Sequence, residues 1–172
     1  MINVVFIVPY YLENQKRKLS PFLLPQINSI VPFLEDHKII YLESGLNLFK
    51  IYKNLKKLNN VRTMRKNYII VSMYGSLHGF ITALLLKNKF KIINTFGGSD
   101  LLGSSNNSIY WNTRNFITKI FSLYTAKKVD HVIVKSESLF NILRGKIKTP
   151  ISILPNGVDL KLFKVINNKQ KL

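Results

Sequence analysis

Residues 68–100 read YIIVSMYGSLHGFITALLLKNKFKIINTFGGSD. Both ends of this stretch, 68–72 and 90–95, are short apolar runs rich in β-branched residues. Neither shows the strict alternation of a half-buried strand, which suits strands covered on both faces. The segment between them, 79–87, is mostly apolar and reads as a short helix lying between the two strands. Strand, crossover helix and strand form the unit of a parallel sheet. Each strand runs into a loop with glycine: Tyr74-Gly75-Ser76-Leu77-His78-Gly79 after the first, Gly97-Gly98-Ser99-Asp100 after the second.

The same alternation extends outward in both directions. Further strands are expected at 2–8, 38–42, 131–134 and 151–154. Leu23, Leu24, Ile27, Ile30, Val31 and Leu34 recur at helical spacing within 20–34. Pro25 and Pro32 must start or kink that helix, so it should begin near Pro21 or Pro25. Leu48, Tyr52 and Leu55 are expected on one helical face, with Lys50, Lys53 and Lys57 away from it. Phe116, Ile117, Ile120, Phe121 and Tyr124 form an apolar stripe, with Asn112 or Thr113 as N-cap. A last helix is expected at 136–143. The fold class is therefore α/β, a Rossmann-like doubly wound, mainly parallel sheet. Residues 1–164 read as a single domain and 165–172 as a polar tail or the start of a linker.

The charge is lopsided. Lys and Arg number 26 against 8 Asp and Glu among 172 residues, a formal net charge of +18. No acidic residue stands between Glu43 and Asp100, while Lys50, Lys53, Lys56, Lys57, Arg62, Arg65, Lys66, Lys87, Lys89 and Lys91 do. Such a field attracts nucleic acid, an anionic membrane face or phosphorylated substrates. The competing reading is compositional, because Lys and Asn are abundant throughout. There is no cysteine, so no disulfide framework or thiolate metal site can form. His37, His78 and His131 are scattered, and no metal-ligand spacing occurs. The N-terminal apolar stretch has no basic residue before it and no small-residue cleavage site after it, and so reads as a first strand.

Ligands of open parallel sheets bind at the carboxyl ends of the strands, which singles out four loops. The first, 9–21, holds no glycine, and this disfavours NAD or FAD, whose pyrophosphate needs close backbone approach. Its Lys16, Arg17 and Lys18 read as a solvated charge run or a phosphate contact. In the second, His78 stands at a helix start as an acid, a base, a hydrogen-bond donor or a structural histidine. In the third, Gly97 and Gly98 allow close approach. Asp100 there serves to bind a hydroxyl, to position a helix or to cap a turn. The fourth, Pro155-Asn156-Gly157-Val158-Asp159, is a turn signal. Neither a P-loop nor a Gly-x-Ser-x-Gly elbow is present.

Together these pieces resemble the N-terminal domain of family 4-like glycosyltransferases of the GT-B architecture. Ser20-Pro21-Phe22 with Gln26 is similar to the family's opening of its first helix. Val71-Ser72-Met73-Tyr74-Gly75 stands where many members have His-x-His-Tyr-Gly. Thr95-Phe96-Gly97-Gly98-Ser99-Asp100 is similar to their Thr-Phe-x-Gly-Ser-Asp, and 130–137 to a strand and helix start ending in Ser. Ile153-Leu154-Pro155-Asn156-Gly157-Val158-Asp159 with Phe163 is similar to their closing segment. Three positions and one loop depart from the family. Gly97 stands where many members carry a catalytic His, Val71 and Met73 stand where others place histidines, and the first loop lacks the Gly-Gly set against donor phosphates.

The resemblance implies one half of a GT-B hexosyltransferase, retaining and metal-independent, without a cofactor. A nucleotide-sugar is the co-substrate. It is bound mainly by a C-terminal domain that this chain is expected to lack, so the chain alone is expected to be inactive. The acceptor is implied to be a glycan or lipid-linked glycan of capsule, exopolysaccharide or lipopolysaccharide. Tyr74, Gly75, Gly97, Gly98, Ser99, Asp100 and Ser136 are implied to line the substrate cleft. Asp100 and His78 are the catalytic candidates, and Asn156, Gly157 and Asp159 form the hinge side. A cytoplasmic location is implied, with the basic stretch from Lys50 to Lys66 suited to peripheral contact with the inner face of the plasma membrane. Two readings stand beside this one: an inactive remnant of such an enzyme, and a basic nucleic-acid-binding α/β domain with interleaved Tyr68, Tyr74, Tyr110 and Trp111.

Overall fold

A computed structural model describes residues 2–45, 47–65, 67–103 and 109–157 of the chain. The tail and Asp159 lie outside the described residues. The strands are β1 (Asn3–Glu13), β2 (Lys16–Lys18), β3 (Asp36–Glu43), β4 (Tyr68–Met73), β5 (Lys91–Phe96), β6 (His131–Val134) and β7 (Ile151–Ile153). The helices are α1 (Leu23–Ile30), α2 (Leu48–Arg62), α3 (Ser76–Leu86), α4 (Ser99–Leu102), α5 (Ile109–Lys128) and α6 (Glu137–Leu143). A 3-10 turn at Val31–Phe33 follows α1, with Pro32 in it.

All six strands expected from the sequence are present, and they pair in parallel in the order β3-β1-β4-β5-β6-β7. Counted along the chain, those parallel strands run 2-1-3-4-5-6. This is the flavodoxin type of doubly wound order, in which the strand order reverses beside the first strand. The architecture is α/β with a mostly parallel sheet, compatible with a Rossmann-like fold.

Helices cover both faces of the sheet, but unevenly. Val5, Ile7, Ile70, Ile92, Val132 and Val134 meet Leu58, Ile81, Leu86, Ala126, Leu139 and Leu143 from α2, α3, α5 and α6. On the other face, Val4, Phe6, Val8 and Met73 meet Leu23 and Ile27 of α1. β1 is thus buried from Val4 to Val8 on both sides, which is why its sequence does not alternate.

Three sequence expectations are corrected. Residues 9–21 are not a plain loop. β1 continues to Glu13, turns at Asn14 and Gln15 with φ of 48° and 61°, and returns as β2, antiparallel to β1. Two left-handed residues suit the twist of a two-residue hairpin, but Asn-Gln lacks the glycine that usually announces it. Lys16, Arg17 and Lys18 accordingly lie on a strand. Lys18 pairs with Glu13, and the Arg17 guanidinium lies 5.2 Å from the Tyr10 ring centre.

The second correction concerns α2. It seats itself through Asn54, Leu58 and Val61, and leaves Leu48 and Tyr52 exposed. The reason is polar. Asn54 is buried, accepts from Glu43 N–H at 3.1 Å and donates to the Glu43 carbonyl at 2.8 Å. This pairs the end of the edge strand, where backbone groups would otherwise be orphaned.

The third concerns α5, where Phe116 and Ile120 are exposed. Its fully buried positions are the small residues Ser122, Thr125 and Ala126. Close approach to α3 requires this. A Cβ on Gly79 of α3 would come within 2.9 Å of Thr125 Cγ2.

Candidate functional site

A crevice of about 400 Å³ opens at the carboxyl ends of β1, β3, β4 and β5. It lies where β1 is flanked by β3 on one side and β4 on the other, the point of order reversal at which such sheets hold ligands. Pro9 and Tyr11 come to it from β1, and Ser44 and Gly45 from the end of β3. Tyr74, Ser76 and His78 arrive from the β4–α3 turn, and Ser99 and Asp100 from α4. Trp111 and Arg114 arrive from α5.

The β4–α3 turn is held in an unusual conformation. Tyr74 and Ser76 have φ of 68° and 57°, a left-handed backbone that costs free energy in residues other than glycine. A dense set of hydrogen bonds fixes it. The Gly75 N–H donates to Asp100 Oδ2 at 2.8 Å, and the Gly98 N–H to Asp100 Oδ1 at 2.9 Å. The Gly97 N–H reaches Oδ2 at 3.4 Å. Ser122 on α5 accepts from the Ser76 N–H and donates to the Asp100 carbonyl, each at 2.8 Å. The Tyr74 hydroxyl donates to Ser20 Oγ at 3.1 Å.

Close packing explains two of the glycines. A Cβ on Gly75 would stand 2.2 Å from the Phe96 ring, and one on Gly97 would stand 2.0 Å from the Tyr74 ring. Gly98, with φ of 128°, is needed for its backbone and not for space.

Asp100 is therefore the clasp between the β4 and β5 loops. It is 4% exposed. Burial pushes its carboxyl above the usual carboxylate range, and the N–H groups of Gly75, Gly98 and Gly97 pull against that shift. Of the readings open from sequence, capping a turn comes nearest to these bonds, which fix two loops at once.

His78 is likewise tied into the structure. Its Nε2 lies 3.2 Å from the Glu43 carbonyl, which can only accept, so Nε2 carries the proton. Burial lowers its pKa, and the Glu43 bond opposes the shift. An imidazole with a folded pKa below the unfolded ~6.5 takes up a proton in the unfolded chain first. It therefore contributes stability above that value, which is lost as pH falls from there through the folded pKa. Urea midpoints measured on either side of that window should fall on acidification. His78→Gln should remove a proton's share of the slope, and an unchanged slope would mean His78 does not titrate differently in the two states.

Not every expected site residue joins the crevice. Ser136 caps α6, accepting from the Leu139 N–H at 3.4 Å, and shares a hydrogen bond with Ser138. Gly97 and Asn156 line a second, far smaller cleft with Thr95, Lys135 and Tyr74. Gly157 is exposed with open space beside it, and Asp159 lies outside the described residues.

Sequence reasoning missed Arg114, Ser122 and Lys135. Arg114 brings a cation to the crevice wall, 4.7 Å from the Trp111 ring centre. Ser122 gave a faint signal, as a polar residue inside an apolar helical stripe. Lys135 Nζ is buried without a hydrogen-bond partner among the described residues, and burial lowers its pKa.

Among the described residues no group of three or more His, Cys, Asp or Glu could hold a metal ion. Among the same residues no helix is long and apolar enough to cross a membrane. Compared with known proteins, the chain matches no family model and has no significant match among curated proteins.

Proposed function

We propose that this domain is the acceptor-side half of a glycosyltransferase that moves a sugar from a nucleotide-sugar to a glycan or lipid-linked acceptor. The observation that carries the reading is the clasped pair of loops at the strand-order reversal. Tyr74-Gly75 and Gly97-Asp100, two of the stretches in which the sequence resembles such enzymes, are joined there through one buried carboxylate. A rigid loop pair at the head of the sheet is what a substrate-positioning wall requires.

In this reading the domain orients the acceptor and does not itself exchange protons. Ser76 and Ser99 offer hydroxyls beside the crevice, Trp111 an apolar wall, and Arg114 a cation for a phosphate or carboxylate. A second, donor-binding domain supplies most contacts to the nucleotide-sugar and closes over the crevice to exclude water.

Amide chemical shifts test the site without requiring turnover. The ¹⁵N-labelled chain, titrated with nucleotide-sugars and with alkyl glycosides, should show saturable shifts at Gly75, Ser76, Ser99 and Arg114. Arg114→Glu should weaken binding of the anionic ligands and spare the neutral glycosides. Shifts confined to another face, or none with any ligand, would refute the reading.

A further inference from the structure

The first turns of α2 expose several large apolar side chains together. Leu48 is 82% exposed, Phe49 74% and Tyr52 65%. At 100° per residue these share one outward arc with Lys53 and Lys56, opposite the buried arc of Asn54, Leu58 and Val61. Large apolar side chains clustered this way normally mark an interaction site. The neighbouring cations narrow the choice of partner.

Lys50 is occupied by Glu43 at 2.8 Å, and Lys57 donates to the Tyr41 carbonyl at 2.7 Å. Lys53 and Lys56 have no ion-pair partner among the described residues. Along the helix axis they stand about 8 Å and about 12 Å behind Leu48. If the start of the helix is tipped into the surface, Leu48 and Phe49 enter first and this axial offset holds the lysines farther out. The lysines then fall at the level of the head groups. No carboxylate occurs in the sequence from residue 44 to residue 99 to repel an anionic surface.

The patch also adjoins the crevice. Gly45 lines it, and the Lys50 side chain of α2 lies 3.3 Å from the Cβ position of Gly45. Tyr11, on the crevice wall, and Leu12 beside it are 49% and 48% exposed at the hairpin.

We propose that the first turns of α2 insert into the surface of an anionic membrane, so that the adjoining crevice takes an amphiphilic substrate whose head group projects from that membrane. The docking face stands independently of the glycosyltransferase reading; the nature of the substrate rests on it. A nucleic acid would use the lysines but leave Leu48 and Phe49 without a partner, so the lipid surface is the occupant the side chains fit.

Co-sedimentation tests this with two vesicle types, phosphatidylcholine alone and phosphatidylcholine mixed with phosphatidylglycerol. The chain should bind the mixed vesicles, more weakly at high salt, and hardly bind the neutral ones. Leu48→Glu with Phe49→Glu should weaken binding by about tenfold or more, and so should Lys53→Glu with Lys56→Glu. All four positions are exposed or peripheral, so circular dichroism and urea midpoints should match the parent. Undiminished binding by the Leu48, Phe49 pair overturns the proposal, as does tighter binding to duplex DNA than to mixed vesicles. The vesicles carry no sugar, so failure here leaves the glycoside titration standing, and failure of that titration leaves docking standing.

Discussion

Asp100→Ala should lower the stability of the domain by about 2–4 kcal/mol, because it strands one buried N–H donor, which costs roughly 1–3 kcal/mol when unpaired, and removes two further half-buried hydrogen bonds. The buried donor is that of Gly75, the half-buried ones are those of Gly97 and Gly98, and the carboxylate itself is 4% exposed. Asp100→Asn separates clasp from charge. An amide keeps one acceptor oxygen but turns its NH₂ toward an N–H that needs an acceptor, so it should recover only part of the loss. Urea unfolding at constant m-value measures both variants. A near-neutral Asp100→Ala would mean the loops are not held through this side chain. Any activity lost in these variants is then expected to follow the loss of loop geometry.

The second large effect is expected at Gly75. A methyl group there would meet the Phe96 ring at 2.2 Å and Ser122 Oγ at 2.9 Å. Phe96 is fully buried and has nowhere to retreat, and Ser122 is engaged by both loops. Overpacking of this kind costs about 1–3 kcal/mol, and here the upper end applies. Gly75→Ala should therefore lower the melting temperature by roughly 6–12 °C at about 2–4 °C per kcal/mol. Gly157→Ala, with open space around it, should leave it unchanged. Equal melting temperatures for the two variants would contradict the packing described.

The residues that made the fold legible are the ones with a single environment. Residues 4–8 and 69–71 carry apolar side chains on both faces because both faces are covered, and no exposed position interrupts them. The glycine-bearing loops were legible for a similar reason: close packing at Gly75 and Gly97 admits nothing larger. Where the sequence misled, two environments competed for one residue type. Leu48, Tyr52, Phe116 and Ile120 have helical spacing and apolar character, yet point outward. Asn54 and Ser122, which look like surface residues, point inward to complete backbone hydrogen bonds. Side-chain polarity cannot reveal this, because the deciding partner is a peptide group brought near only by the fold. Arg114 was invisible for the same reason, as only the placement of α5 against the loops brings it to the crevice. The hairpin at Asn14 and Gln15 went unread because its left-handed tip lacks glycine.

The exposed apolar arc on α2 is the feature that composition alone concealed. The charge pattern pointed to a basic stretch running from Lys50 to Lys66, but two of its lysines serve the interior. What remains is a smaller, sharper feature, with apolar residues at the helix start and lysines one turn behind.

Sugar transfer tests the central claim most directly. This domain, together with the donor-binding domain that the proposal requires, would be incubated with radiolabelled UDP-, GDP- and ADP-sugars and with membranes as the source of acceptor. The account predicts that label from one donor passes into the glycan or lipid-linked fraction, and that Arg114→Glu sharply lowers transfer to phosphate-bearing acceptors while the protein stays folded. Failure of every donor to label any acceptor, or full transfer to phosphate-bearing acceptors by the Arg114→Glu protein, would contradict the assignment of the crevice as the acceptor site.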